Sequence, residues 1–282
     1  MTSNRPTSSQ RFLEFALEAE PPREVPEPQR GQSVSAAMMK TTLGPVSENL
    51  MEQIVDPRNM ERAWKNVKAN RGAPGPDGVT LDEFFQTFRD QWPTVRQQLL
   101  EGTYEPEPAR RKSIPKPDGS ERHRGIPNIQ ERLLQQAILQ VLTPIFDPGF
   151  SESSFGFRPN RSAQQAAKQV QDYIRAGYRH CVDMDLSKYF DRVQHDVLMS
   201  CVSRKVHDGR LLRLIGRYLR AGVMVEGVLQ PTDEGAPRAP AGMDAWLVGV
   251  LFHPCCPTYC WTTWTRNWNA AACGSFAMRT TS

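Results

Sequence analysis

The sequence predicts an α+β fold, and two patterns carry this prediction. Apolar residues recur at helical spacing in several stretches between residues 46 and 220. They switch to a period of two in HCVDMDLS, at residues 180–187, and two other segments carry the turn residues of β-hairpins. Because helices and strands alternate without the glycine signature of a dinucleotide-binding domain, a mixed α+β domain is favoured.

Composition restricts the function classes. Residues 1–45 are rich in Pro, Ser, Glu and Gln, so a disordered leader is expected there. No apolar run reaches the roughly 20 residues of a membrane span, and the N-terminus lacks the apolar core of a signal peptide. We therefore expect a cytoplasmic protein without a membrane partner. The net charge of +4 is too small to indicate nucleic-acid binding by itself.

Two amphipathic helices are expected between residues 46 and 102. The first places Met60, Trp64 and Val67 on one face, and the second has a stripe of Leu81, Phe84, Phe85 and Phe88. Between them, NRGAPGPDGV is typical of a turn.

A basic β-hairpin is predicted next. Pro117-Asp118-Gly119-Ser120 signals a tight turn between two extended arms. The arms carry six cations, namely Arg110, Arg111, Lys112, Lys116, Arg122 and Arg124. Such a cluster fits phosphate contact, although most charge runs are simply solvated surfaces.

Two further helices are predicted to be buried. Asn128 with Glu131 has the pattern of a capping box, and Ser162 with Gln165 has the same pattern. The inward-facing residues are expected to be Leu134, Ala137, Ile138, Val141 and Leu142 in the first helix, and Ala166, Val170, Tyr173 and Ile174 in the second. Gly177 is expected to end the second helix.

The stretch at 181–186 is predicted to be a strand with two carboxylates on one face. Asp183 and Asp185 alternate with Val182, Met184 and Leu186. Burying both carboxylates is costly unless a cation or a basic partner neutralises them, so metal binding is one explanation. The alternative is a strand end where the carboxylates cap the following helix or lie in water. Two helices, the first from Asp196 to Val206 and the second through Tyr218, and a hairpin in GVMVEGVLQ are expected to follow.

Four blocks resemble, in order and spacing, the group II intron reverse transcriptase, also called the intron-encoded maturase. The blocks are RGAPGPDGVT, IPKPDGSERHRGIP, ERLLQQAILQVLTPIFDPGFSESSFGFRPNRSAQQA and VDMDLSKYFDRVQHD. The resemblance covers residues 50–238. It implies N-terminal helices and fingers (46–178) and a partial palm (179–238) of a right-hand polymerase that copies RNA into DNA. A retron or defence reverse transcriptase remains an alternative.

The same resemblance implies roles for single residues. Asp185 matches the catalytic metal-binding aspartate, with the Leu186 carbonyl as a further ligand. Tyr189 and Phe190 match the pair beside the nucleotide sugar, and Lys116 and Arg122 match the residues that grip the triphosphate. Apart from the resemblance, the basic patch itself predicts nucleic-acid contact through Arg110, Arg111, Lys112 and Arg124. The implied partners are the intron RNA, an RNA template, a DNA primer and dNTP.

Two-metal chemistry needs more carboxylates than Asp185. Nucleotidyl transfer uses two divalent ions about 4 Å apart, here expected to be Mg²⁺. The family supplies two further carboxylates from a Tyr-Ala-Asp-Asp hairpin, and no such sequence occurs in the chain.

Residues 239–282 form an aberrant tail, with four of the six cysteines and no lysine. A zinc site at His253, Cys255, Cys256 and Cys260 is disfavoured because the cysteines are adjacent and a second ligand pair is lacking.

Regrouping the codons of the tail gives a better account of it. If each new codon takes the last base of one residue and the first two of the next, Cys255-Cys256 can give only Leu and Trp261-Thr262 only Asp. From Val248 onward the regrouped codons permit one continuous amino-acid sequence. It reads GGPLSPLLSN, one aliphatic residue, LLDDLDKELERR, one undetermined residue, and LRFVRYADDF. We therefore expect a frameshifted, catalytically incomplete chain, with an RNA-binding remnant as the alternative; residues 239–247 stay unexplained.

Overall fold

The computed structural model describes residues 49–115, 119, 121–180 and 192–235. Within these ranges the chain has seven α-helices and four strands, so the predicted α+β class is confirmed. The expected leader at 1–45, the expected strand at 181–186 and the tail at 239–282 lie outside the described residues.

Three helices precede the first two strands, and four helices precede the last two. The helices are α1 (Leu50–Ile54), α2 (Pro57–Ala69), α3 (Leu81–Glu101), α4 (Ile129–Phe146), α5 (Ala163–Arg175), α6 (His195–Ser203) and α7 (Gly209–Arg220). The strands are β1 (Ala109–Pro115), β2 (Glu121–Ile126), β3 (Val223–Val225) and β4 (Val228–Gln230). A 3-10 turn at Asp147–Gly149 follows α4. Of the described helices, none is long and apolar enough to cross a membrane.

Helix α4 lies at the centre of the hydrophobic core. Twelve of its eighteen residues are buried, so it has apolar contacts on several sides. Helix α2 packs against it through the predicted face of Met60, Trp64 and Val67. The aromatic rings of Trp64, Phe84, Phe88 and Trp92 form a continuous row with centroid separations of 5.4, 4.8 and 5.3 Å. This row joins α2 to α3.

Helices α6 and α7 belong to the same core. Leu198 and Val202 of α6 and Leu211, Leu214 and Ile215 of α7 are buried within it. The residues assigned to the palm therefore share one apolar cluster with those assigned to the fingers. The boundary at residue 178 stays a prediction.

The four strands form one sheet in the order β2-β1-β3-β4. β1 pairs with β2 antiparallel, and β3 pairs with β4 antiparallel, as the two predicted hairpins require. Glu226 and Gly227 both have positive φ, 49° and 84°, which is the turn geometry that matches the twist of a tight hairpin. The parallel pairing of β1 with β3, through Ala109 with Val223 and Arg110 with Met224, joins the hairpins and was not predicted.

Two predictions about helices are wrong. Asn128 begins α4 without a side-chain cap, because Glu131 turns inward to bind buried donors instead. Helix α5 starts with the predicted Ser162–Gln165 capping box, but none of its residues is buried. Val170 is 40% exposed and Ile174 is 52% exposed. Helical periodicity reports an apolar face and does not specify what covers it.

A buried carboxylate ties α1 to α7. Asp208 begins α7 and accepts hydrogen bonds from the backbone N–H groups of Arg210 (2.9 Å) and, across the core, Met51 (3.0 Å). The Arg210 side chain forms ion pairs with Asp208 (3.0 Å) and Glu52 (2.7 Å). Burial alone would raise the pKa of Asp208, but these hydrogen bonds hold it below its ordinary value. The hydrogen bond from Arg210 also lowers the pKa of Glu52.

We expect Asp208→Ala to lower the free energy of unfolding by about 2–4 kcal/mol, since it removes a helix cap and a buried charge pair together. Asp56→Ala is the matched control, because Asp56 caps α2 from an exposed position through Arg58 and Asn59. The control should cost about 1 kcal/mol. Equal losses in urea titrations of both variants would contradict the role given to Asp208.

The same network predicts a pH dependence. Carboxyls whose pKa is lowered by folding stabilise the protein above their unfolded values, 3.8 for Asp208 and 4.5 for Glu52. That contribution is lost as the pH falls through the folded values. The difference in unfolding free energy between the natural chain and Arg210→Gln should therefore be larger at about pH 6 than at about pH 3. A difference that is constant over this range would contradict the assignment.

Candidate nucleic-acid interface

The β1–β2 register gathers the cations of the hairpin on one face. Lys112 lies directly opposite Arg124, and Arg110 shares their face because residues two apart on a strand point the same way. The backbone of Arg122 lies opposite Ile114 in the same ladder. We call Arg110, Lys112 and Arg124 the cationic face. The register thus brings together three of the six cations that the sequence singled out.

Arg111 lies on the opposite face of the hairpin. Its partner across the ladder is Gly125, and the neighbouring pair is Ser113 with His123, joined by a hydrogen bond of 2.9 Å between Oγ and Nδ1. Arg111 is therefore separated from the other cations that were predicted to contact nucleic acid.

The cationic face lacks acidic partners among the described residues. No salt bridge reaches Arg110, Lys112 or Arg124 there. The Nε atom of Arg124 is buried and has no hydrogen-bond partner in the described part of the chain. A buried guanidinium donor without an acceptor costs free energy.

Arg110 also holds the glycine and proline loop. Its Nη2 donates to the Pro74 carbonyl oxygen at 2.8 Å. Arg132 of α4 donates to the carbonyl oxygens of Pro127, at 3.0 Å, and of Ala73. A Cβ atom at Gly75 would lie 2.7 Å from the backbone nitrogen of Asn128, so the close approach of this loop to α4 requires glycine. The loop is more than the plain turn that its sequence suggests.

A buried carboxylate lies at the base of the sheet. Glu131 is 1% exposed, and its carboxylate accepts hydrogen bonds from the hydroxyls of Tyr104 (2.6 Å) and Tyr218 (2.7 Å) and from the backbone N–H of Glu107 (3.1 Å). We call these four residues the Glu131 clamp. Burial raises the pKa of Glu131, although these hydrogen bonds oppose that rise. Burial and the Glu131 charge likewise raise the pKa of Tyr104.

Sequence reasoning missed the clamp, although one signal for it was present. Glu131 lies three and seven residues before Leu134 and Ile138, so it falls on the apolar face of α4. A carboxylate in that position requires buried donors.

Most of the residues that were predicted to form the polymerase site are not among the described residues. Asp185, Leu186, Tyr189, Phe190 and Lys116 lie outside the described residues, as does the side chain of Arg122. Among the residues that are described, no group of three or more His, Cys, Asp or Glu side chains could hold a metal ion. The assignment of Mg²⁺ to Asp185 and Leu186 stays a prediction.

Comparison with known proteins identifies related sequences. The family profile "Reverse transcriptase (RNA-dependent DNA polymerase)" matches residues 114–236. Protein YkfC of Escherichia coli (strain K12) is 34% identical over 197 residues, which are 68% of this chain and 52% of YkfC. The group II intron-encoded protein LtrA of Lactococcus lactis subsp. cremoris is 32% identical over 177 residues, 62% of this chain and 29% of LtrA. The chain thus spans about half or less of the length of these relatives.

A solved structure supports the fold alone. The "Partial Cas6-RT-Cas1--Cas2 complex" matches with a TM-score of 0.50 and 19% identity, over 87% of this chain and 40% of that chain. The family profile and the intron-encoded relatives, and not this structure, show that the chain belongs to the reverse transcriptases and maturases of group II introns.

Proposed function

We propose that this chain is a group II intron reverse transcriptase whose palm is interrupted by a change of reading frame, so that it binds RNA without synthesising DNA. The observation that carries the RNA-binding part is the cationic face, whose Arg110, Lys112 and Arg124 share one side of the hairpin and form no salt bridge among the described residues. Phosphate groups are the anions that arginine and lysine recognise in nucleic acids.

The proposed partners follow from the family. LtrA is described as a group II intron-encoded protein, which makes intron RNA the first candidate ligand of this chain. In an intact relative the RNA template and the DNA primer would follow the same face, and Lys116 and Arg122 would hold the triphosphate of the incoming dNTP. Arg111, on the other face of the hairpin, is left out of this proposal.

The proposed loss of synthesis rests on the carboxylates. Two Mg²⁺ ions would activate the primer hydroxyl and stabilise the leaving pyrophosphate. In this chain Asp185 and the Leu186 carbonyl would hold one ion, with Tyr189 and Phe190 beside the nucleotide sugar. The two further carboxylates of the family's Tyr-Ala-Asp-Asp hairpin do not occur in the sequence. We propose that they are encoded from Met278 onward in the shifted frame.

Removing two cations from the hairpin should weaken RNA binding. For Lys112→Gln with Arg124→Gln we expect the dissociation constant for a 20-nucleotide RNA to rise about tenfold. The slope of log K against log salt should become shallower by about 1.4–1.8, because two phosphate contacts are lost. Fluorescence anisotropy at several salt concentrations measures both quantities.

The matched control removes two cations elsewhere. Arg213 and Arg220 are exposed on α7, so Arg213→Gln with Arg220→Gln changes the net charge equally. This control should keep the slope of the natural chain. An equal loss in both double variants would show a general charge effect and contradict the assignment to the hairpin.

The reading-frame proposal has a direct test. We expect the coding DNA for Val248–Ser282 to spell Tyr-Ala-Asp-Asp in the shifted frame. A frame-corrected chain should extend a primer on an RNA template, and Asp185→Asn should abolish this activity, while the exposed Asp196→Asn should retain it. Asp185-dependent primer extension by the chain as it stands would overturn the proposed loss of synthesis.

A further inference from the structure

The Glu131 clamp connects the roots of both central strands. Tyr104 and Glu107 lie in the segment that enters β1, and Tyr218 lies five residues before β3 begins at Val223. β1 and β3 are the two strands whose parallel pairing joins the hairpins. One buried side chain therefore contacts the segment that enters β1 and the last turn of α7, the helix that precedes β3.

The segment before β1 is held from a second side as well. Arg217 of α7 donates to the carbonyl oxygens of Gly102 (2.8 Å) and Tyr104 (2.9 Å), and it pairs with Glu105 at 3.0 Å. Gln130 donates to the Tyr104 hydroxyl at 2.8 Å, and Asn128 donates to the Glu107 carboxylate. The entry into β1 is thus fixed between α4 and α7.

Hydrogen bonds restrict the orientation of the groups that they join, which apolar contacts do not. Lys112 lies five residues beyond Glu107, a distance of roughly 16 Å along an extended strand. A rotation of about 10° at Glu107 would move Lys112 by roughly 3 Å, which exceeds the tolerance of a hydrogen bond to phosphate. Because the segment before β1 is held in one orientation, less free energy is needed to order the cations of the hairpin when a ligand binds.

We propose that Glu131 is a positioning residue for RNA binding: through Tyr104, Glu107 and Tyr218 it sets the orientation in which the sheet presents Lys112 and Arg124. This inference rests on the proposed RNA-binding function. Glu131 is buried and does not touch the RNA itself.

The test replaces the carboxylate with an amide. In Glu131→Gln the side chain keeps its size, but one of its two oxygens becomes an NH₂ group: with the remaining oxygen serving Tyr104 and the Glu107 N–H, no acceptor is left for the Tyr218 hydroxyl. We expect the dissociation constant for the 20-nucleotide RNA to rise between about twofold and tenfold, because the loosened strand must be ordered on binding. Hydrogen exchange at Glu107 and in β1 and β3 should become faster.

Two controls separate positioning from loss of stability. Asp208→Asn alters another buried carboxylate of the same core, which joins α1 to α7 and touches neither strand root. It should lower stability and leave RNA affinity unchanged while the chain is folded. In the Lys112→Gln, Arg124→Gln background, Glu131→Gln should cause no further loss of affinity, because the groups through which it acts are gone.

Three results would overturn the inference. The first is an unchanged RNA affinity in Glu131→Gln, and the second is an equal loss of RNA affinity in Asp208→Asn. The third is that adding Glu131→Gln to the Lys112→Gln, Arg124→Gln double variant lowers RNA affinity as much as it does in the natural chain. If the natural chain binds no RNA, the proposed RNA-binding function fails instead. Hydrogen exchange in β1 and β3 then decides separately whether Glu131 fixes the strands, since unchanged exchange contradicts that role.

Discussion

The burial of α4 is the constraint on which the rest of the described structure depends. An 18-residue helix with buried side chains on most of its circumference must be surrounded, and α1, α2, α3 and the 3-10 turn all pack against it. The same helix supplies Arg132 to the glycine and proline loop and Glu131 to the base of the sheet. One apolar element thereby fixes both the core and the root of the cationic face.

Local patterns in the sequence predicted the elements that depend on local physics. The face of Met60, Trp64 and Val67, the capping box at Ser162 and the two hairpins follow from spacing and turn chemistry within a few residues. The pairing of β1 with β3 joins residues more than a hundred positions apart, and no local pattern encodes it. Glu131 was misassigned for a related reason, since its donors Tyr104 and Tyr218 are distant in sequence.

The candidate nucleic-acid interface could likewise be predicted only where it depends on local sequence patterns. The hairpin and its cations follow from the sequence, but a four-residue turn at 117–120 would set Lys112 opposite Gly125, whereas the observed register sets it opposite Arg124 and separates Arg111 from both. The buried Nε atom of Arg124 depends on the surrounding packing, which the sequence does not reveal. The assignments of Asp185, Tyr189 and Phe190 rest on resemblance to the family, because these residues lie outside the described ranges.

The uncovered face of α5 has a consequence for how the sequence can change over generations. Val170 and Ile174 are exposed, so replacing either with a polar residue costs little folding free energy in the chain as it stands. Selection for RNA binding would act on the hairpin and on α4 and would leave this stripe free to drift. Under the proposed change of frame, gene copies that share this change can lose the apolar pattern of α5 and keep the fold.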